Sequence, residues 1–263
     1  MIEGLQNFRD TGGTPLDGGG ATRSGVLYRS EALSALTPGG LDALAATDIG
    51  VIADFRTEVE RGMAADRLPD SRPFRVVDLP LLEGALTGMA QQAPKADDPN
   101  AADAAAAAIA AAVAQLPGLG DLYVSMLAGG AASFAALARL IAASTDDAPS
   151  AVLVHCTAGK DRTGVAVALM LDTAGADRDA VVADYASSAA HLAGAWADRM
   201  RAMVTAMGVP LTPTIDTLLT GTPAAAIEQA LAWTDERGGA AAYLQSGGLT
   251  DSELEALRAR LVA

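Results

Sequence analysis

The run "SAVLVHC" (150–156) is apolar at nearly every position and does not alternate, which predicts a central strand covered on both faces. Beyond a short polar turn, "TGVAVALMLDTAG" (163–175) is apolar around most of a helical circumference and predicts a buried helix. Gly175 suits its C-terminal cap, and Asp177 can cap the next helix, "RDAVVADYASSAAHL". Three strand signals lie upstream: "GVLYRS" (25–30), "GVIADFR" (50–56) and "FRVVDLPL" (74–81), the last stopped by Pro80. Helical spacing at Leu33, Leu36, Leu41 and Leu44 follows the first strand, and "TEVERGMAADRLP" reads as an exposed helix and turn.

From Glu83 to Asn100 the composition shifts to Gly, Gln, Pro and Asp, which predicts a flexible connection. Asn100 with Asp103 resembles an N-terminal cap for an alanine-rich helix running to Leu116, so 83–116 reads as an insertion. Pro117 and Gly118 break it, and a long helix follows over 120–144, interrupted near Gly129–Gly130. From Ala195 onward all signal is helical, divided by Pro210, Pro213, Pro223 and the pairs Gly238–Gly239 and Gly247–Gly248. Strands interleaved with helices early, then helices alone, predict one α/β domain over 1–263. Its mostly parallel central sheet is flanked by helices, and a helical C-terminal extension includes a candidate lid at 205–245.

Composition narrows the function classes. Hydrophobic content of 51% with 19% charged residues is globular, and the single cysteine excludes an internal disulfide. A net charge of −14 argues against nucleic acid or an anionic membrane as a partner through a broad surface field. The alanine run from Ala101 carries Asp103 and is too weakly apolar for stable membrane insertion. "MIEGLQNFRD" lacks a basic start followed by an apolar stretch, so the expectation is a cytoplasmic protein or one exported without a Sec-type signal.

An acidic chain that binds an anion needs a concentrated local field, and "HCTAGKDRTG" (155–164) supplies one. The peptide N–H groups of Thr157, Ala158, Gly159, Lys160, Asp161 and Arg162 can curl into an anion-binding nest in front of a helix N-terminus. Arg162 adds a planar fork of donors and Lys160 a point charge. The same field favours a thiolate: free thiols, with pKa about 8.5, are depressed by helix N-termini and cations. The loop is thus suited to hold inorganic phosphate or sulfate against Cys156, and to let that sulfur form a phosphocysteine intermediate. No metal or cofactor is expected, because the nest and Arg162 supply the charge stabilisation a cation would.

The stretch resembles the protein tyrosine phosphatase superfamily, whose signature is H-C-x5-R-[S/T]. With "NFRD", "LYRSEALSAL", "VIADFRTEVE", "AVVADYASS" and the closing "AAYLQSGGLTDSELEALRARL", it is similar to the bacterial tyrosine and lipid phosphatases typified by the mycobacterial secreted tyrosine phosphatase B. The resemblance implies a phosphatase-like fold, with Cys156 as nucleophile, Arg162 as phosphate clamp and 157–162 as cradle. It also implies a phosphorylated protein or a phosphoinositide as substrate, with Lys160 hinting at substrates carrying more than one phosphate. For the general acid, Asp161 is favoured, with Asp54 close behind; Glu83 stands where related members place an Asp. Asp54 with Arg56 reads equally well as a structural ion pair, Arg9–Asp10 as a buttress, and His155 and Thr163 as supports that order the loop. The rival readings are a phospho-binding pseudophosphatase, and another cysteine-loop enzyme such as a sulfur transferase or an arsenate reductase.

Overall fold

The computed structural model describes residues 2–81, 117–147 and 149–263. The expected connection and alanine-rich helix over 83–116, with the Asn100–Asp103 cap, lie outside the described residues.

A five-stranded sheet has the order β1-β2-β5-β3-β4, from β1 (Arg9–Asp10), β2 (Leu27–Ser30), β3 (Ile49–Asp54), β4 (Arg75–Asp78) and β5 (Ala151–His155). All neighbours are parallel except the short edge strand β1. Every residue of the central β5 is buried, and alternate side chains enter different cores. Ala151 and Leu153 join Ile2, Leu5, Leu33, Leu36, Leu44, Ile49 and Ile52 on one face. Val152 and Val154 join the larger cluster on the other. Two apolar layers, one per face, explain an apolar run without alternation.

The leucines after β2 do not form one helix. Leu33–Ala35 is a single 3-10 turn, and α1 (Pro38–Ala45) starts afresh behind Thr37, whose side chain accepts from Gly40 N–H. Pro38 is the cause: it holds the preceding residue extended and is itself suited to a first helical position. A short α2 (Glu58–Met63) follows β3 with a capping box between Thr57 and Glu60.

The next described helix, α3 (Leu119–Ala142), is continuous, correcting the interruption expected near Gly129–Gly130. A Cβ at position 130 would lie 2.8 Å from Leu81 Cδ2 and 3.0 Å from the Phe134 ring, so this glycine permits close packing and does not break the helix. By length and mean hydropathy of 1.6, α3 could cross a bilayer. Here it is a core helix, with Tyr123, Leu127, Phe134, Leu137 and Ile141 buried at 1% exposure or less.

Helix α4 (Asp161–Thr173) is buried nearly throughout, and α5 (Arg178–His191) is capped by Asp177 as expected. Then come α6 (Ala195–Ala206), α7 (Pro213–Thr220), α8 (Ala224–Asp235), α9 (Gly239–Ser246) and α10 (Asp251–Leu261). Much of the candidate lid segment 205–245 packs in the core. Ile227, Leu231 and Leu244 are 1% exposed or less, and Tyr243 Oη donates to Leu127 O at 2.7 Å. Burial on that scale ties α8 and α9 to α3. Around the α6–α7 turn, Met207 and Leu211 are exposed.

Candidate active site

Strand register brings the site together. Ser30 and Asp54 both stand beside His155, so the carboxyl ends of β2, β5 and β3 meet where Cys156 begins the turn into α4. In an open α/β sheet this crevice is the usual place for a ligand.

The turn is anchored through its carbonyls. Thr157 O accepts from Ala32 N–H, and Ala158 O and Gly159 O accept from Asn7 Nδ2 at 3.3 and 2.8 Å. Gly159 O also accepts from Arg29 Nη2 at 2.8 Å, and Lys160 O from Gly164 N–H. In a trans peptide the N–H opposes the C=O. With the carbonyls of 157–159 fastened to the scaffold, the amides of 158–160 point the other way, and the first N–H groups of α4 lack intrahelical partners. Gly159 has φ +66°, and a Cβ there would sit 2.0 Å from Ser30 O, so only glycine fits.

Cys156 is 1% exposed and Arg162 is fully buried. Arg162 Nη1 and Nη2 donate to the two oxygens of Glu60 at 2.8 and 2.6 Å, and Nη2 reaches Thr157 Oγ1 at 3.3 Å. Nη1 also reaches Phe55 O at 3.2 Å. Burial alone would raise the Glu60 carboxyl, but Arg162, Thr157 and the Thr57 N–H outweigh it and hold it at about 2. Glu60 escaped the sequence reading, although the Thr57-x-x-Glu60 spacing was a visible capping-box signal.

Asp54 is fully buried, and its carboxylate accepts four bonds from Arg56, from the backbone N, from Nη2 and twice from Nε. With both carboxylate oxygens engaged by Arg56, the ion-pair reading of Asp54–Arg56 is the one the geometry favours. Asp66, unnoticed in the sequence, completes the cluster: Oδ2 lies 2.8 Å from Arg56 Nη2 and 3.2 Å from His155 Nε2. His155 Nδ1 is 3.2 Å from Cys156 O, so the two ring nitrogens face two acceptors, that carbonyl and the Asp66 carboxylate. Burial would raise Asp66, but His155 and Arg56 hold it low. Asp54, Asp66 and His155 offer ligand atoms within 4.8 Å of one another, but the Arg56 guanidinium already compensates both carboxylates.

Asp161 Oδ1 accepts from Lys160 Nζ at 2.7 Å and from Tyr123 Oη at 2.5 Å. Tyr123 and Tyr185 share a 2.7 Å hydroxyl contact. Burial first, then the Asp161 charge, raises the Tyr123 hydroxyl far above its ordinary value, so it stays a donor. The Lys160 ammonium is buried and also donates to Gly221 O at 3.2 Å, between α7 and α8. The Asp161 side chain keeps 15% exposure, against 1% for Asp54. Thr163 is buried, and its hydroxyl has no hydrogen-bond partner among the described residues. Ala158 packs against Leu192, Trp196 and Ala197, an apolar wall from α6 and the turn before it. Asp10 accepts from Gly12 N–H and Gly25 N–H, which makes it a turn support, and His191 is exposed. Glu83 lies outside the described residues.

The profile described as the tyrosine phosphatase family matches residues 1–263. A tyrosine-protein phosphatase of Nostoc commune is 29% identical over 242 residues, covering 90% of this chain and 74% of that one. The triple specificity protein phosphatase PtpB of Mycobacterium tuberculosis is 33% identical over 195 residues, covering 71% and 68%. Among solved structures, P. aeruginosa TpbA aligns at 17% identity and a TM-score of 0.34, over 69% of this chain and 88% of that one. With the profile spanning its whole length, the chain belongs to the tyrosine phosphatase family and is a cysteine-based phosphatase.

Proposed function

We propose that Cys156 Sγ, as thiolate, attacks the phosphorus of a phosphomonoester held by the amides of 157–162 and the Arg162 guanidinium. The S–P bond forms as the P–O bond to the leaving group breaks, and that oxygen takes a proton. Water then attacks the phosphocysteine, loses a proton, and releases inorganic phosphate and free thiol. The observation that carries this is the outward fastening of the 157–159 carbonyls beside a buried cysteine and arginine, which leaves a ring of amides for phosphoryl oxygens. Acid quench during turnover of p-nitrophenyl phosphate should leave one phosphoryl group on the Cys156 peptide, seen by mass spectrometry. Phosphate binding without release would instead indicate a pseudophosphatase, and turnover of thiosulfate or arsenate a different cysteine-loop enzyme.

Phosphotyrosine is the proposed substrate class, extending to phosphoserine, phosphothreonine or phosphoinositides. The buried Lys160 ammonium supports the extension, because it belongs to the cradle itself and a second phosphate could draw it from Asp161. Turnover of a panel of phosphopeptides and phosphoinositides decides among these.

Asp161 is the proposed donor to the leaving oxygen, being the acid of the loop that keeps access to solvent. Asp161→Asn should lower kcat about a hundredfold on alkyl phosphates, within the usual range for a lost general acid, and far less on p-nitrophenyl phosphate. Equal losses on both substrates would remove Asp161 from that role.

A further inference from the structure

The Gly159 carbonyl is held by two donors from distant parts of the chain, Asn7 Nδ2 and Arg29 Nη2, and both lead back to one carboxylate. Asp184 on α5 takes Arg29 Nη1 on Oδ2 at 2.5 Å and Arg9 Nε on Oδ1 at 2.7 Å. Its backbone carbonyl takes Arg9 Nη2 at 2.8 Å, and Ser188 Oγ accepts from both arginines at 3.1 Å. Arg9 Nη1 in turn donates to Asn7 Oδ1 at 2.5 Å, turning the Asn7 amide nitrogen toward Gly159 O. Asn7 adopts φ +57°, a conformation asparagine tolerates better than most residues.

We infer that Asp184 is a positioning residue for phosphoryl binding. Through Arg29 directly, and through Arg9 and Asn7 indirectly, it fixes the Gly159 carbonyl and with it the inward aim of the Lys160 N–H. The inference rests on the reading that 156–162 binds the phosphoryl group. The electrostatics agree with the geometry. Burial and the charge of Arg29 lower Arg9 to about 10, with Asp184 opposing both. Burial would raise Asp184, but Arg29 and Arg9 hold it low. Two guanidiniums this close stay together because one carboxylate lies between them. Without it they repel, and Arg29, which is fully buried, has no room to turn to water.

The test uses two variants of the full chain. Asp184→Asn keeps the size and removes the charge; Asn7→Gly removes the second donor while accepting the positive φ. Each is measured for inhibition by inorganic phosphate, per folded molecule, beside its melting temperature. The phosphate Ki should rise about tenfold in both, the usual scale when a supporting partner of a binding group is lost. A melting temperature that falls while Ki stays within about threefold of wild type in either variant marks a purely structural role and overturns the inference. If Asp184→Asn does not fold, Asn7→Gly alone decides. Cys156→Ser separates the two levels: continued turnover there sinks the reading of the loop, whereas an unmoved Ki beside a dead Cys156→Ser sinks only the role of Asp184.

Discussion

Cys156→Ser should abolish phosphate release, lowering kcat by about four orders of magnitude or more, as removal of a covalent nucleophile does elsewhere. A serine hydroxyl stays protonated at neutral pH, and ionising it would need a base beside it. His155 is the nearest candidate by sequence, but its Nδ1 lies against Cys156 O and its Nε2 faces Asp66. The cradle is otherwise untouched, since its anchors run through Asn7, Arg29 and Ala32 and none of them touches the sulfur. Inorganic phosphate should therefore bind the variant within about tenfold of wild type, the loss being confined to bond formation. Steady-state kinetics with calorimetry of phosphate binding separates the two quantities. Turnover retained at a tenth of wild type would remove Cys156 as nucleophile.

The net charge of −14 sets the context. Long-range steering works against an anionic substrate, so its binding has to come from contact-range donors in a dry pocket, where they count for more than in water. Arg162 and Lys160 are both buried in the cradle and, among the described residues, pair with Glu60 and Asp161 respectively. Such pairing holds positive groups in place without leaving bare charge in the interior.

What the chain disclosed on inspection was whatever depends on neighbours in sequence. The apolar run of β5, the glycine turn and the buried helix α4 are contiguous, and their burial follows from periodicity alone. The caps at Asp177 and Gly175 were equally local. The supports were not, because they are made across the fold. Glu60 meets Arg162 over 102 positions and Asp184 meets Arg9 over 175, separations no local pattern encodes. Asp54 is the instructive case. Two residues apart at a strand end, Asp54 and Arg56 share a face by the period of a strand, so the ion pair was legible in "ADFR" and outweighs the acid role. At Gly129–Gly130 propensity argued for a break, and packing against Leu81 and Phe134 overrode it.

Arg162→Lys should lower kcat/KM by about three orders of magnitude, although the charge is conserved. The guanidinium is planar, and one edge of its fork is already engaged by Glu60 through two short bonds. That bidentate contact fixes the plane, so any phosphoryl oxygen that reaches Arg162 meets donors of set direction. An ammonium cannot span the two Glu60 oxygens and a phosphoryl group at once. It would collapse onto the carboxylate and leave the cradle one charge short. The hold does not weaken at any ordinary pH. Because the Glu60 carboxyl is lowered from its ordinary 4.5 to about 2, its pairing with Arg162 is fully present above about pH 4.5 and is lost only as pH falls toward 2. The deficit of Arg162→Lys should accordingly be the same at pH 5 and pH 8, measured with p-nitrophenyl phosphate. A variant within tenfold of wild type would mean that charge suffices and that the fork held by Glu60 does not orient the substrate.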